Sequence, residues 1–131
     1  MRKLILLSAL TVLLCSWMQL NSLKGTWKYV GGSSNGKSEG ATVGYTLQRY
    51  YDDTHFDAFI LEPKQKPFKY QSGSYTLTSD TCSETETFNA QSNALTGKTI
   101  KYRYEMRNDT LVLKANLPNG TVSEDYWKRI K

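Results

Sequence analysis

The sequence predicts an all-β chain of roughly eight antiparallel strands closed into an up-and-down barrel, with a β-sandwich as the runner-up. Three observations carry this. From Leu23 onward apolar and aromatic residues return at every second position, the period of a half-buried strand, and helical spacing is nowhere sustained. Short clusters of Asn, Asp, Gly and Ser separate these runs, as tight hairpin turns require. Finally, 131 residues fit one domain, and barrel closure removes the edges that an open sheet of so many strands would expose.

Composition agrees with a single folded core: hydrophobic residues are 39% and charged residues 22% of the chain, enough apolar material to exclude a disordered polymer. The first segment has a separate character. Arg2 and Lys3 precede an uncharged stretch over residues 4–14, and no charge returns until Lys24. This is the pattern of an export signal. Met18, Gln19, Asn21 and Ser22 dilute the stretch, leaving it short of the roughly 20 apolar residues of a membrane span. We place the signal at residues 1–19 and the barrel domain at 20–131, so the expected location is secreted or periplasmic.

Small residues near this boundary are few, and Ser16 is the best candidate for the last residue removed. Cys15 follows Val12-Leu13-Leu14 and not a small residue, so a lipid anchor is the lesser alternative, and membrane contact is expected only if Cys15 is lipidated. Cleavage after Ser16 would leave Cys82 alone, without an internal disulfide partner. Loss of Arg2 and Lys3 lowers the +5 formal charge by two, too mild an excess to imply a nucleic-acid partner.

The strands are expected in the following order. Trp27 and Tyr29 share a face of the first; Val43, Tyr45 and Leu47 share one in the second. In the third, Phe56, Ala58 and Ile60 oppose Phe59 and Leu61, which leaves its phase open. Gly73, Tyr75 and Leu77 mark the fourth, residues 81–88 the fifth. Ile100, Tyr102, Tyr104 and Met106 oppose Lys101, Arg103, Glu105 and Arg107 in the sixth, where the alternation is cleanest. Leu111, Leu113, Ala115 and Leu117 give the seventh, and residues 121–130 the eighth. Ser79-Asp80, Asn108-Asp109 and Pro118-Asn119-Gly120 supply turns between them. The sequons at Asn108 and Asn119 are explained by the same turns without sugar.

Gly25-Thr26-Trp27 at the start of the first strand resembles the Gly-x-Trp signature of lipocalins, and Arg129 on the last strand holds the place of the basic residue that covers that tryptophan. The run from Gly73 to Glu84, then Tyr102, then Glu124-Asp125-Tyr126-Trp127-Lys128-Arg129, is similar to small secreted bacterial lipocalin-like proteins. The resemblance implies a calycin-type barrel with Gly25, Trp27, Trp127 and Arg129 forming its structural closure and, by analogy, a lumen for a small apolar or amphipathic molecule. The chain departs from full-length lipocalins in lacking a paired disulfide and a helix between the last strands.

Several motifs suggest chemistry that their surroundings refuse. Gly31, followed after four residues by Gly36-Lys37-Ser38, fits a phosphate-binding loop, but residues 39–44 are rich in Gly and β-branched residues and cannot start the required helix. No nucleotide is expected. Residues 31–40 read instead as a flexible loop over the barrel mouth, either a lid or a solvated connector. His55 lies near Asp52, Asp53 and Asp57, yet no second histidine or cysteine pair gives metal spacing. No nucleophile motif surrounds any serine, so no enzyme activity, cofactor or metal is expected. Lys98, Lys101, Arg103 and Arg107 alternate with tyrosines, which points the charged and aromatic sides apart and disfavours a nucleic-acid platform.

The chain has nine tyrosines, and several fall on the inward faces, where a ring lends apolar surface and a hydroxyl that needs a partner. The fifth strand has no apolar face at its start: Cys82, Glu84 and Glu86 alternate with Thr and Ser. If its register puts Phe88 inside, both glutamates follow and need Arg, Lys, Tyr or water. The expected ligand site is therefore Tyr45, Phe59, Tyr75, Glu84, Tyr102 and Tyr104. The leading expectation is an extracytoplasmic, non-enzymatic protein that binds a small apolar or amphipathic molecule in its lumen. The alternative is a filled barrel whose outer surface binds another protein or a cell-envelope component.

Overall fold

The computed structural model describes residues 22–131; the readings on the export signal, Ser16 and Cys15 lie outside the described residues. Nine strand segments follow one another: β1 (Gly25–Ser34), β2 (Lys37–Gly40), β3 (Thr46–Tyr51), β4 (His55–Leu61), β5 (Phe68–Leu77), β6 (Thr81–Asn89), β7 (Thr99–Arg107), β8 (Thr110–Asn116) and β9 (Val122–Arg129). Each neighbouring pair from β3 to β9 is antiparallel, and β1 pairs with both β3 and β9, closing the barrel. The segments β2 and β3 lie end to end along the same edge of β1, so the nine segments make eight staves. No helix is present among the described residues.

Two expectations are corrected in the second strand. Residues 31–40 are not a loop: β1 runs on to Ser34 and turns at Asn35-Gly36, both with positive φ, into β2. The phosphate-loop lookalike is this hairpin. Val43 is exposed in the connection after β2, and β3 starts only at Thr46. Elsewhere, Asn108 and Gly120 sit in the turns at positive φ, as their small or absent side chains allow.

Packing divides the barrel into two halves. At the lower end Leu23, Trp27, Tyr51, Phe56, Tyr75 and Leu111 form a buried plug. Arg129 covers it, with its guanidinium carbon 4.3 Å from the centre of the Trp27 ring and Nη1 donating to the Lys24 carbonyl at 2.9 Å. Trp27 Nε1 donates to the Leu23 carbonyl at 2.8 Å. Gly25 is required beside this seal, because its φ is +141° and a Cβ would come within 2.9 Å of Arg129 Nη1. The upper half is not filled in this way.

Three bulges set which side chains reach the interior. An extra residue at Tyr70, opposite the step from Ala58 to Phe59, turns Tyr70 and Gln71 to the same inward face. An extra residue at Thr87 turns Phe88 outward while Glu84 and Glu86 remain inside. The third, at Val30, keeps Tyr29 in register with Trp127 and brings Gly32 opposite Asp125. Phe88 and the glutamates therefore part company, because one inserted residue reverses the alternation.

Candidate functional site

Above the plug, β1, β2, β3, β5, β7, β8 and β9 line an open-mouthed cavity of about 430 Å³. Five aromatic rings line it: Tyr29, Tyr45, Tyr70, Tyr102 and Trp127. Leu47 and Leu113 add aliphatic wall, Arg49 and Gln71 the floor, Asp125 and Glu39 two carboxyl groups. A second cavity of about 430 Å³ adjoins it, sharing Tyr45, Leu47 and Tyr70 and reaching Ile60 and Gln91. Space and lining suit a small ligand with apolar surface and a few polar groups.

The floor is a closed polar network. Arg49 Nη1 donates to both Glu84 oxygens, at 3.0 and 2.9 Å, and to the Tyr51 hydroxyl at 2.5 Å. Tyr51 in turn donates to Glu84 Oε2 at 2.7 Å. Arg49 Nη2 donates to Gln71 Oε1 at 3.2 Å, and Gln71 Nε2 donates to Glu86 Oε1 at 2.8 Å. Asn89 Nδ2 and Thr96 Oγ1 also donate to Glu86. Such satisfaction is what burial demands, since an unpaired charge in this setting costs several kcal/mol. The guanidinium also lies 4.8 Å from the Phe56 ring centre and 5.4 Å from that of Trp127.

The titration behaviour follows from these contacts. Burial works against the Arg49 charge, but Glu84, then Tyr51, Tyr102 and Tyr70, together outweigh it and hold its pKa well above the ordinary value. Burial pushes the Tyr51 and Tyr102 phenols and the Cys82 thiol upward, so all three stay protonated. Asp125 is raised as well, by burial first and then by the charges of Glu39 and Glu84, with Arg49 pulling the other way. Its carboxylate is the uncommitted group in this wall. Gly32 stands opposite it on β1, where any Cβ would collide with the Glu124 carbonyl, so no β1 side chain stands over Asp125 at that position.

The expected ligand residues separate in space. Tyr45 and Tyr102 line the cavity. Glu84 lies beneath it, committed to Arg49 and Tyr51. Phe59 is a correction: it pairs with Gln48 on the outer face, and Ala58 and Ile60 take the inward positions beside Arg49 and Leu47. Tyr75 belongs to the plug, with its hydroxyl donating to the Asp52 carbonyl at 2.5 Å and accepting from the Leu23 amide at 3.1 Å. Tyr104 is tied to the lower end through its hydroxyl and the Thr78 carbonyl, 2.6 Å away. Trp127, expected only as closure, also walls the cavity, and its Nε1 is buried without a partner.

Sequence reasoning missed Arg49, Asp125, Tyr29 and Tyr70. The alternation that includes Leu47 continues through Arg49 to Tyr51, and Asp125 precedes Trp127 by two positions, so both were recoverable from period two. Tyr70 was not, because a bulge sets its direction. His55 is exposed at the start of β4, with Nδ1 2.7 Å from Thr54 Oγ1, and no cluster suited to a metal ion occurs among the described residues.

A closed, up-and-down eight-stave barrel, plugged below and hollow above, defines a calycin-like architecture. Residues 22–131 match the family described as Domain of unknown function (DUF4488), and the chain belongs to that family. No curated protein matches it. Among solved structures the chain is similar to a mutant of the fluorescent protein UnaG, at 15% identity and a TM-score of 0.42, over 83% of this chain and 96% of that one.

Proposed function

We propose that this protein is a non-enzymatic extracytoplasmic carrier that holds a small amphipathic molecule in the upper half of its barrel. The observation that supports it is the aromatic cavity of about 430 Å³ above a plugged floor, which exceeds the roughly 300 Å³ at the low end of ligand pockets. Binding without chemistry is the reading because the reactive groups of the floor are engaged: Glu84 with Arg49, and Cys82 as a buried protonated thiol. The extracytoplasmic part rests on Arg2, Lys3 and the uncharged residues after them.

The test is calorimetric titration of the purified protein with a neutral amphiphile, octanol. Saturable change that is lost in Leu113→Trp, which fills the cavity, supports the carrier; an unchanged response in that variant refutes it. One observation favours the outer-surface alternative. The β7–β8 ladder stops above Arg103 and Lys114, leaving a groove of about 340 Å³ lined by Ile100, Lys101, Ala115 and Val122. A partner there would protect these residues, and not the lumen, from solvent.

A further inference from the structure

The interior carries a charge pattern that limits which amphiphile it can take. Arg49 is the one buried basic side chain among the described residues, and its charge is already matched by Glu84 at 2.9 Å. Its other contacts are to the neutral Tyr51 and Gln71, so the Arg49–Glu84 pair as a whole brings no net charge to the lumen. Glu86 and Asp125 also face inward, and Glu39 stands at the mouth. No basic side chain forms an ion pair with any of these three among the described residues. The lumen is therefore electronegative inside a chain whose formal charge is positive.

Asp125 sharpens this into a site. It accepts no side-chain hydrogen bond from the described residues, the facing position on β1 is Gly32 with no side chain to answer it, and it lines the same cavity as five aromatic rings. A carboxylate without a partner is costly to hold in a partly desolvated wall, and a cation is the group that would offset that cost. Aromatic faces attract cations through their quadrupole, and desolvation strengthens the attraction. An amphiphile with an anionic head would meet Asp125 and Glu39, with Arg49 already neutralised by Glu84. A cationic head would meet a carboxylate and a ring of π faces.

We infer that the lumen is selective for organic cations, an ammonium or quaternary ammonium head on an apolar body, with Asp125 as the counter-ion and Tyr29, Tyr45, Tyr70, Tyr102 and Trp127 as the surrounding cage. This inference rests on the carrier reading and adds the ligand's charge to it. The same chemistry predicts that fatty carboxylates are poor ligands for this barrel.

The experiment is calorimetric titration of the intact protein at neutral pH with three probes of one chain length: octyltrimethylammonium, octanol and octanoate. The expected order is the cation at least about tenfold tighter than the alcohol, and octanoate weakest. Asp125→Asn is expected to weaken the cation about tenfold and to abolish its advantage over octanol, which a merely structural role for Asp125, weakening both probes alike, would not do. If octanol binds and the cation gains nothing over it, the inference falls and the carrier reading stands. If octanoate binds as tightly as the cation, the inference is overturned. If no probe binds, both readings fall together.

Discussion

The Arg49–Glu84 pair offers the sharpest energetic test of how the floor is built. Glu84 is 4% and Arg49 6% exposed, so Arg49→Met removes the counter-charge of a carboxylate that water cannot reach. Breaking such a pair from one side costs about 3–5 kcal/mol. The lost cation–π contacts to Phe56 and Trp127 add about 1 kcal/mol, and the methionine sulfur restores a similar amount against the same rings. Tyr51 still donates to Glu84, which keeps the expected loss nearer 3 than 5 kcal/mol. In urea, with m of about 1.5 kcal/mol/M, the midpoint should fall by about 2 M. Adding Glu84→Gln to Arg49→Met removes the stranded charge, so the double variant should recover about 2 kcal/mol. A single variant within about 1 kcal/mol of the parent, or strict additivity in the cycle, would show that the pair is not the buried unit described here.

Three further outcomes are expected. Trp27→Ala should lose about 3–5 kcal/mol through the cavity it leaves in the plug, whereas Arg129→Ala, which removes only the exposed cover, should lose about 1 kcal/mol; equal losses in denaturant melts would contradict the assignment of Trp27 to the core. Because folding raises the Asp125 pKa above 3.8, its ionisation opposes folding. That penalty is fully present above the folded pKa and vanishes as pH falls below the unfolded value. Asp125→Asn should therefore stabilise the protein at neutral pH and lose that advantage in acid, and destabilisation at neutral pH would refute this. Gly73→Ala should cost about 3 kcal/mol, since the methyl would collide with the Thr85 carbonyl and lie 2.7 Å from a Phe56 ring carbon; a silent substitution in thermal melts would contradict the close approach of β5 to β6.

Most of the barrel was legible because period two is a direct record of which face is buried. Ile100, Tyr102, Tyr104 and Met106 alternate with charged residues, and their strand is observed with that phase as β7. The seal was legible for a different reason: Gly25-Thr26-Trp27 and Arg129 are a local signature, and the structure brings Arg129 over Trp27. What escaped was decided by single inserted residues. The bulges at Tyr70 and Thr87 reverse the alternation near the start of β5 and the end of β6, so no uniform period could place Tyr70 inward or Phe88 outward. Phe59 failed similarly, for an apolar run on both faces leaves its phase to the partner strand. The hairpin of β1 and β2 looks like a loop in sequence because Gly, Ser and Asn suppress strand propensity, yet pairing with β9 supplies the order that the local sequence lacks.

The claim that the upper lumen holds an amphiphile is most directly tested by locating one. Isotope-filtered nuclear Overhauser spectra of the protein with bound octyltrimethylammonium should connect the ligand to the rings of Tyr70 and Tyr102, to the Leu113 methyls and to the Trp127 indole, all of which line the cavity. Contacts confined to Lys101, Ala115 and Val122 in the outer groove would place the site on the barrel surface and contradict the account.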